Sequence, residues 1–203
     1  THLSAVTRNL SATVSTGNVD FVGASTLNAG ADQSLSVTNG NVSFSGTTQM
    51  QAGHDLNLSQ VQGNLTTHGQ TTMTAGHDVA MAVTTGDVTF NDVTTVTAGQ
   101  DLSLAVGTGK VMFFDQSLLR ALLGNLSVSV QAGEINLMDA TTLSAGDTVT
   151  ARVTAKGAAS GGLTMEDADT LIQAGQRVEI DTYGDVKMDL IRSGNQVAIT
   201  SHQ

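Results

Sequence analysis

The sequence predicts an all-β fold, a right-handed parallel β-helix of about nine coils with three short strands in each coil. Three observations lead to this prediction: a unit that repeats every 23 residues, apolar residues that alternate with polar ones inside the unit, and a chain of 203 residues that contains no proline. The handedness follows from the usual sense of parallel crossover connections. We therefore expect a single solenoid over residues 1–203.

The repeat is marked by an Ala-Gly pair and by a second glycine eleven positions after the alanine. The pairs begin at Ala29, Ala52, Ala75 and Ala98, and the second glycines are Gly40, Gly63, Gly86 and Gly109. Looser copies of the same unit precede and follow these four, so the repeat covers nearly the whole chain.

Each unit contains three segments with the character of a strand. Apolar and polar residues alternate at residues 56–58 (Leu-Asn-Leu) and 88–90 (Val-Thr-Phe), which is the period of a strand with one buried face. A third, Thr-rich segment carries one inward apolar residue, such as Met50 or Met73. Coils of this kind stack about 4.8 Å apart and enclose a continuous core, so we expect a rod about 40 Å long.

The composition fits a regular fold and excludes several classes of function. Proline would remove a hydrogen-bond donor from a strand that is paired on both sides, which explains why it is absent. The chain has no cysteine, so disulfide frameworks, zinc-thiolate sites and thiol nucleophiles are excluded. Eighteen acidic and eight basic residues give a formal net charge of -10, which argues against a nucleic-acid partner. No long apolar run occurs, so no membrane insertion is expected.

The regular spacing breaks near residues 107–123 and 151–167, where we expect insertions. The second break contains the segment TAKGAASGGL at residues 154–163, which is predicted to be a flexible loop. The first residues, THLSAVTRNL, lack the features of a signal peptide. Because both ends of a β-helical rod are open strand edges, we expect the parent protein to continue beyond Thr1 and Gln203.

The first break contains the densest apolar stretch of the chain. It includes the segment DQSLLRALL, in which we expect Asp115 to cap a short helix. If exposed, this stretch would be a binding patch, and if buried, it would cover a face of the rod. Both alternatives stay open. The residues of this candidate interaction loop are Phe113, Phe114, Leu118, Leu119, Arg120 and Leu122.

The units AGHDLNL, AGHDVAM and AGQDLSL, with the intervening segments GNVSF and GDVTF, resemble the haemagglutinin repeats of filamentous-haemagglutinin-type proteins. The resemblance is best between residues 29 and 114. It implies a large bacterial surface exoprotein, either an adhesin or the toxin-delivery filament of a contact-dependent inhibition system, that is exported by two-partner secretion and folds as a right-handed parallel β-helix. The amino-terminal secretion domain of that family has Asn-Pro motifs, which this chain lacks, so the resemblance implies a segment of the filament.

Aspartate recurs at the same position in successive units, two residues after the glycine of the Ala-Gly pair. An aspartate at such a place commonly accepts backbone N–H bonds, so we predict a ladder of structural turn caps and no calcium site. These residues are Asp32, Asp55, Asp78 and Asp101. His54 and His77 share the preceding position and would lie about 5 Å apart. Two ligands do not make a metal site, so we predict that these histidines are exposed turn residues.

We predict a structural and interaction protein without catalytic residues, metal or cofactor. It would be a shaft segment of a secreted adhesin or filament at the bacterial cell surface, and would hold a distal binding or toxin part away from the cell. The expected partners are an unidentified receptor or glycan on a host cell or a neighbouring bacterium and, during export, an outer-membrane transporter. The rod itself is expected to be monomeric.

Two alternatives use the same fold, a polysaccharide-active enzyme and a carbohydrate-binding module. An enzyme of this kind needs carboxylates clustered with a basic residue, or paired acids across a groove. Lys110 and Arg120 flank Asp115 in the first break. Lys156 lies in the second break near the acidic segment at residues 166–169.

Overall fold

The computed structural model describes residues 2–155 and 161–202. All regular secondary structure among these residues is β-strand, and parallel strands stack into a solenoid of about nine turns. The predicted all-β parallel β-helix is thus confirmed. Its right-handed sense stays an expectation from the crossover preference.

The described residues form 22 strands, numbered in chain order. They are β1 (His2–Ala5), β2 (Leu10–Thr16), β3 (Val19–Val22), β4 (Ser25–Ala29), β5 (Gln33–Asn39), β6 (Val42–Ala52), β7 (Leu56–Gln62), β8 (Leu65–Ala75), β9 (Val79–Thr85), β10 (Val88–Phe90), β11 (Val93–Ala98), β12 (Leu102–Phe113), β13 (Ser117–Ala121), β14 (Leu126–Leu137), β15 (Thr142–Ala145), β16 (Thr148–Val153), β17 (Leu163–Met165), β18 (Leu171–Ala174), β19 (Arg177–Tyr183), β20 (Val186–Lys187), β21 (Leu190–Ser193) and β22 (Gln196–His202).

The strands pair into three stacks that form the sides of the rod. The first stack is β2, β5, β7, β9, β12, β14, β16, β19 and β22. The second is β3, β6, β8, β10, β12, β14, β17 and β20, and the third is β1, β4, β6, β8, β11, β13, β15, β18 and β21. The long strands β6 and β8 continue from the second stack into the third, and β12 and β14 continue from the first into the second. Three strand segments per repeat unit therefore make the three sides of a coil.

The register of the strands follows the sequence repeat. In the first stack Leu58 pairs with Met81, and Met81 pairs with Leu104, so residues 23 positions apart lie directly above one another. All three side chains are buried in one hydrophobic cluster. Each copy of the unit therefore adds the same kind of side chain to the same column of the core.

Aromatic rings form one column of this core. Phe21 stacks on Phe44 with ring centroids 5.0 Å apart, and a second stacked pair begins at Phe90 with a centroid distance of 4.9 Å. Thr67 occupies the column between Phe44 and Phe90 and is fully buried. Its hydroxyl lies 2.8 Å from the Thr94 hydroxyl. This hydrogen bond satisfies both polar groups inside the core, which is why the repeat tolerates the missing ring.

The second glycine of the unit makes the corner between the first and second stacks. Gly63 and Gly86 have φ values of 127° and 140°, a region that side chains rarely adopt. A Cβ atom on Gly86 would also lie only 1.8 Å from the carbonyl oxygen of Gly63 in the coil below. The corner therefore requires glycine both for its backbone angle and for the close approach of two coils.

The structure reduces the insertion predicted near residues 107–123 to a single residue after Ala121, because Leu102 pairs with Leu126 at a spacing of 24 residues. Residues Ser117–Ala121 form β13 of the third stack, where Ala98 pairs with Ala121 at the unbroken spacing of 23 residues. The helix predicted to start at Asp115 is therefore wrong. Asp115 has φ 56° and lies at the corner between β12 and β13. The backbone of this segment finds hydrogen-bond partners in the strands above and below, and this pairing overrides the helical spacing of its leucines.

The second break of the repeat is a local insertion between two strands that keep their register. Val130 pairs with Val153, and Ile135 pairs with Leu163, so the interval along the chain grows from 5 to 10 residues between the two coils. Part of the flexible loop predicted at residues 154–163 lies outside the described residues. The third stack continues past the insertion with β15 paired to β18.

Candidate functional site

The four predicted aspartates lie at the corner between the third and first stacks and form the aspartate ladder. Each carboxylate accepts a hydrogen bond from a backbone N–H of the next coil. The N–H of Asp55 is 3.4 Å from Asp32 Oδ1, that of Asp78 is 3.1 Å from Asp55 Oδ1, that of Asp101 is 3.0 Å from Asp78 Oδ1, and that of Asn125 is 2.7 Å from Asp101 Oδ1. The side chains therefore cap backbone amides, but the amides belong to the neighbouring coil and not to their own turn.

A second column of capping side chains lies at the corner between the first and second stacks, and the sequence analysis did not identify it. Asn18, Asn41 and Asn64 accept backbone N–H bonds at 2.9 Å from the next coil, and Asp87 accepts one at 2.8 Å from Lys110. The signal for this column was the Asn or Asp that follows the second glycine at Gly40, Gly63 and Gly86. A repeat pattern alone does not show which amide such a side chain caps.

The third corner, between the second and third stacks, forms an open acidic groove of about 490 Å³. The described residues that line it include no Lys or Arg and are Asp92, Val93, Asp115, Gln116, Asp139, Ala140, Asp167 and Asp169. Here the carboxylates point to the preceding coil, with Asp92 2.8 Å from the Gly69 N–H, Asp115 3.1 Å from that of Asp92, Asp139 3.1 Å from that of Asp115, and Asp167 3.1 Å from that of Asp139. Each of these carboxylates thus accepts one backbone hydrogen bond while the groove stays open to solvent.

The two histidines predicted to lie in adjacent coils stack on each other. The ring centroids of His54 and His77 are 4.8 Å apart, and the ring planes differ by 4°. His54 Nδ1 lies 3.3 Å from Asp32 Oδ1 and 3.1 Å from Asp55 Oδ2. His77 Nδ1 lies 3.3 Å from Asp55 Oδ1 and 3.1 Å from Asp78 Oδ2. Both side chains are exposed, as predicted, but the carboxylate of Asp55 connects them, which the sequence analysis did not foresee.

The environment of Asp55 favours its ionised form. Partial burial acts to raise the pKa of this carboxyl, but the hydrogen bond from the Asp78 backbone amide and the neighbouring imidazoles of His54 and His77 outweigh it. The pKa of Asp55 is therefore held below its ordinary value. The carboxylate keeps its negative charge at neutral pH beside the two imidazoles.

The candidate interaction loop does not form one exposed apolar surface. Phe113 and Leu119 point into the core and are fully buried, whereas Phe114 and Leu118 are half-buried. Arg120 is exposed. Two apolar residues in the turn before β14 are also exposed, Leu122 by 44% and Leu123 by 69% of their surface. The alternation of a strand divides the stretch between the core and the surface, so neither the contiguous patch nor the covering helix is formed.

Of the basic residues considered for an enzymatic cleft, Lys110 and Arg120 do not line the acidic groove. Lys110 Nζ forms an ion pair at 2.6 Å with Glu134 of the next coil. Arg120 is exposed on β13, and Lys156 lies outside the described residues. The structure therefore brings Asp115, Asp167 and Asp169 together in one groove, and none of the described residues that line it is basic.

No described residue belongs to a helix that is long and apolar enough to cross a membrane. The chain matches no family model, no curated protein and no solved structure. The fold is therefore shown by the strand pairing of this chain alone. The resemblance to filamentous-haemagglutinin-type repeats stays a prediction that rests on the repeat sequence.

Proposed function

We propose that the chain is a shaft segment of a large secreted filament or adhesin at the bacterial cell surface, and that it holds a distal binding or toxin part away from the cell. The observation that carries this proposal is the unbroken pairing of three strand stacks along the described residues. Backbone hydrogen bonds between coils run along the axis of such a rod on all of its sides. A structure of this kind has length and stiffness as its main physical properties.

The three corners support the same role. At each corner a column of Asp or Asn side chains accepts backbone N–H bonds from a neighbouring coil, for example Asp55 to Asp78, Asn41 to Asn64 and Asp115 to Asp92. Each hydrogen bond of this kind contributes about 1 kcal/mol to the free energy of unfolding. The coils are thus joined both along their strands and at their turns, which opposes bending and unwinding of the rod.

The remaining parts of the proposal come from composition and from the repeat resemblance. A chain without cysteine is suited to export through an outer membrane as an unfolded chain, because no disulfide obstructs the passage. The formal net charge of -10 favours a soluble, monomeric rod. In this role an outer-membrane transporter exports the chain, and a receptor or glycan on a host cell or a neighbouring bacterium meets the distal part.

Surface labelling of intact cells tests the proposal. In the bacterium that encodes the chain, antibodies raised against residues 2–202 should label intact cells. Disruption of the gene for the partner transporter should remove the label from the surface while the protein remains detectable inside the cell. Labelling that appears only after the cells are lysed would contradict a surface shaft.

A carbohydrate-binding module is the second candidate, and the acidic groove favours it. Its carboxylates are acceptors for sugar hydroxyl groups, and its volume of about 490 Å³ suits one or two sugar residues. A glycan array with the wild-type chain and with Asp115→Asn and Asp139→Asn separates the candidates. Binding that both substitutions abolish supports the module, turnover of a bound polysaccharide supports a polysaccharide-active enzyme, and the absence of both supports the shaft.

A further inference from the structure

We propose that His54, Asp55 and His77 form a Zn²⁺-binding site on the edge of the rod. Donor atoms of these three side chains lie within 4.8 Å of one another. The residues come from two adjacent coils, so the site exists only because the repeat places one His-Asp pair directly above the other. Zinc binding is separate from the shaft function and adds to it.

The distances between the imidazoles and the carboxylate suit tetrahedral coordination. Zinc bonds of about 2.0–2.1 Å to nitrogen and oxygen set neighbouring ligand atoms about 3.3 Å apart. The His54 Nδ1 to Asp55 Oδ2 distance is 3.1 Å, and the His77 Nδ1 to Asp55 Oδ1 distance is 3.3 Å. Each imidazole nitrogen therefore already lies at about the required distance from one oxygen of the Asp55 carboxylate, and because the two contacts use different oxygens, both oxygens can take part in coordination.

Zinc binding also requires the two imidazole nitrogens to lie about 3.3 Å apart, whereas the donor atoms of the cluster are spread over as much as 4.8 Å. The rings lie 4.8 Å apart because each follows the spacing of its own coil. Their side chains are 58% and 47% exposed, so each ring has solvent on its open side and can rotate toward the ion. The backbone, which the strand pairing holds, does not need to move.

The charge around the site favours a cation. Asp32 Oδ1 lies 3.3 Å from His54 Nδ1, and Asp78 Oδ2 lies 3.1 Å from His77 Nδ1, which adds a carboxylate on either side of the central one. Among the ion pairs of the described residues, none joins a Lys or Arg side chain to these carboxylates. Asp32, Asp78 or water can complete the coordination.

The donor set selects for zinc and related transition metals over calcium and magnesium. Two imidazole nitrogens with one carboxylate are ligands that Zn²⁺ prefers, whereas Ca²⁺ and Mg²⁺ need oxygen ligands. The sequence restricts the site to these two coils. The equivalent positions in the coils below and above are Ala31 and Gln100, which cannot supply an imidazole.

These neighbouring coils also provide variants that preserve the fold. Gln100 occupies the histidine position with its backbone N–H bonded to the His77 carbonyl at 2.8 Å, so glutamine fits this corner. Asparagine fits the aspartate role, because Asn41 and Asn64 cap backbone amides in the same way at another corner. His54→Gln, His77→Gln and Asp55→Asn therefore remove ligands while the backbone hydrogen bonds of the corner are kept. His68→Gln is the matched control, because His68 is exposed and lies outside the cluster.

The test is a titration of the tag-free chain with Zn²⁺ in competition with a chromophoric chelator, with Ca²⁺ as a second ion. We expect the wild type to bind one Zn²⁺ per chain and to show no saturable binding of Ca²⁺. Each of the three ligand substitutions should weaken zinc binding about tenfold or more, and His68→Gln should leave it unchanged. Circular dichroism should show the same strand content for all variants.

Thermal unfolding gives an independent readout. Because zinc binds only the folded chain, its addition should raise the Tm of the wild type and of His68→Gln, and the same zinc concentration should raise the Tm of His54→Gln and His77→Gln by clearly less. Absence of saturable binding by the wild type would overturn the proposal. So would an equal loss of affinity in His68→Gln, or wild-type affinity in both His54→Gln and His77→Gln.

Discussion

Asp101 illustrates how a single side chain joins two coils of the rod. Its Oδ1 accepts a hydrogen bond from the Asn125 backbone N–H at 2.7 Å and another from Asn125 Nδ2 at 3.2 Å. At a corner the backbone leaves its strand, so the amides there do not all find partners in the strand pairing. Without the carboxylate, the Asn125 amide would lose its acceptor within the protein.

We expect Asp101→Ala to lower the free energy of unfolding by about 1 kcal/mol, the cost of losing one capping hydrogen bond. Asp101→Asn keeps an acceptor oxygen at the same place and should cost less. Urea unfolding followed by circular dichroism measures both changes. Equal losses for alanine and asparagine would show that the side-chain acceptor contributes nothing.

A pair of glycines separates backbone strain from close packing between coils. Gly17 and Gly86 both have positive φ, at 119° and 140°. A Cβ on Gly17 would meet no atom within 4 Å, whereas on Gly86 it would lie 1.8 Å from the Gly63 carbonyl oxygen. Gly17→Ala should therefore cost about 1 kcal/mol of unfolding free energy from strain alone, and Gly86→Ala about 3 kcal/mol or more. Similar Tm values for the two variants would contradict a tight corner.

At the scale of the strand, side chains of adjacent coils interact in register. Lys110 of β12 pairs directly with Glu134 of β14, and their charged groups meet at 2.6 Å. The hydrogen bond from Lys110 holds the pKa of Glu134 below its ordinary value, although partial burial acts in the opposite direction. The same hydrogen bond raises the pKa of Lys110. The two shifts describe one interaction that stabilises the pairing of these strands.

This ion pair should make stability depend on pH at both ends of the range. A carboxyl with a lowered pKa stabilises the fold above its unfolded pKa, and this contribution is lost as the pH falls through the folded value. An amine with a raised pKa stabilises the fold below its unfolded pKa, and this contribution is lost as the pH rises through the folded value. Both contributions are therefore present between about pH 6 and pH 9.

Comparison of the wild type with Glu134→Gln measures this dependence. Because both side chains are partly exposed, we expect a difference in unfolding free energy of less than about 1 kcal/mol at pH 7. The difference should shrink below about pH 4 and above about pH 10.5. Urea unfolding at a series of pH values gives the curve, and a difference that stays constant down to pH 3 would rule out the ion pair as its cause.

The strands that follow the repeat were predictable from the sequence, and the departures were not. The spacing of Ala52, Ala75 and Ala98 fixes which residues stack, because a parallel coil has no freedom of register once its core side chains are aligned. The segment Ser117–Ala121 was predicted as part of a helix because a short apolar run fits both the period of a helix and that of a strand. Its pairing with β11 and β15 decides the outcome, and this pairing is not local information.

The candidate site was predictable only in part, for a related reason. Histidine recurs two positions before the strand and aspartate one position before it, which showed that these side chains would align. It did not show that the Asp55 carboxylate would lie between His54 and His77, because that depends on side-chain angles. The acidic groove was missed because Asp92 and Asp139 adopt positive φ and point to the preceding coil.

The whole molecule behaves as a one-dimensional stack, because each coil contacts only the coils directly above and below it. Removal of one complete repeat should therefore shorten the rod by about 4.8 Å and leave the remaining interfaces unchanged. Deletion of residues 57–79, which is 23 residues, joins Leu56 to Ala80 and keeps the inward and outward alternation of the strand. We expect this variant to unfold cooperatively and to keep its strand content.

Deletion of residues 58–79 removes 22 residues and joins Asn57 to Ala80 in the middle of the same strand. This shift by one residue turns the buried side chains of Met81 and Val83 toward solvent and puts Ala80 in the core. Two large side chains then leave the core, at a cost of about 2–3 kcal/mol for each. Urea unfolding should show a much lower midpoint for this variant than for the 23-residue deletion. If the two deletions unfold at the same midpoint, the coils are not locked in register by their core, and the rod cannot be the stiff shaft that the proposed function requires.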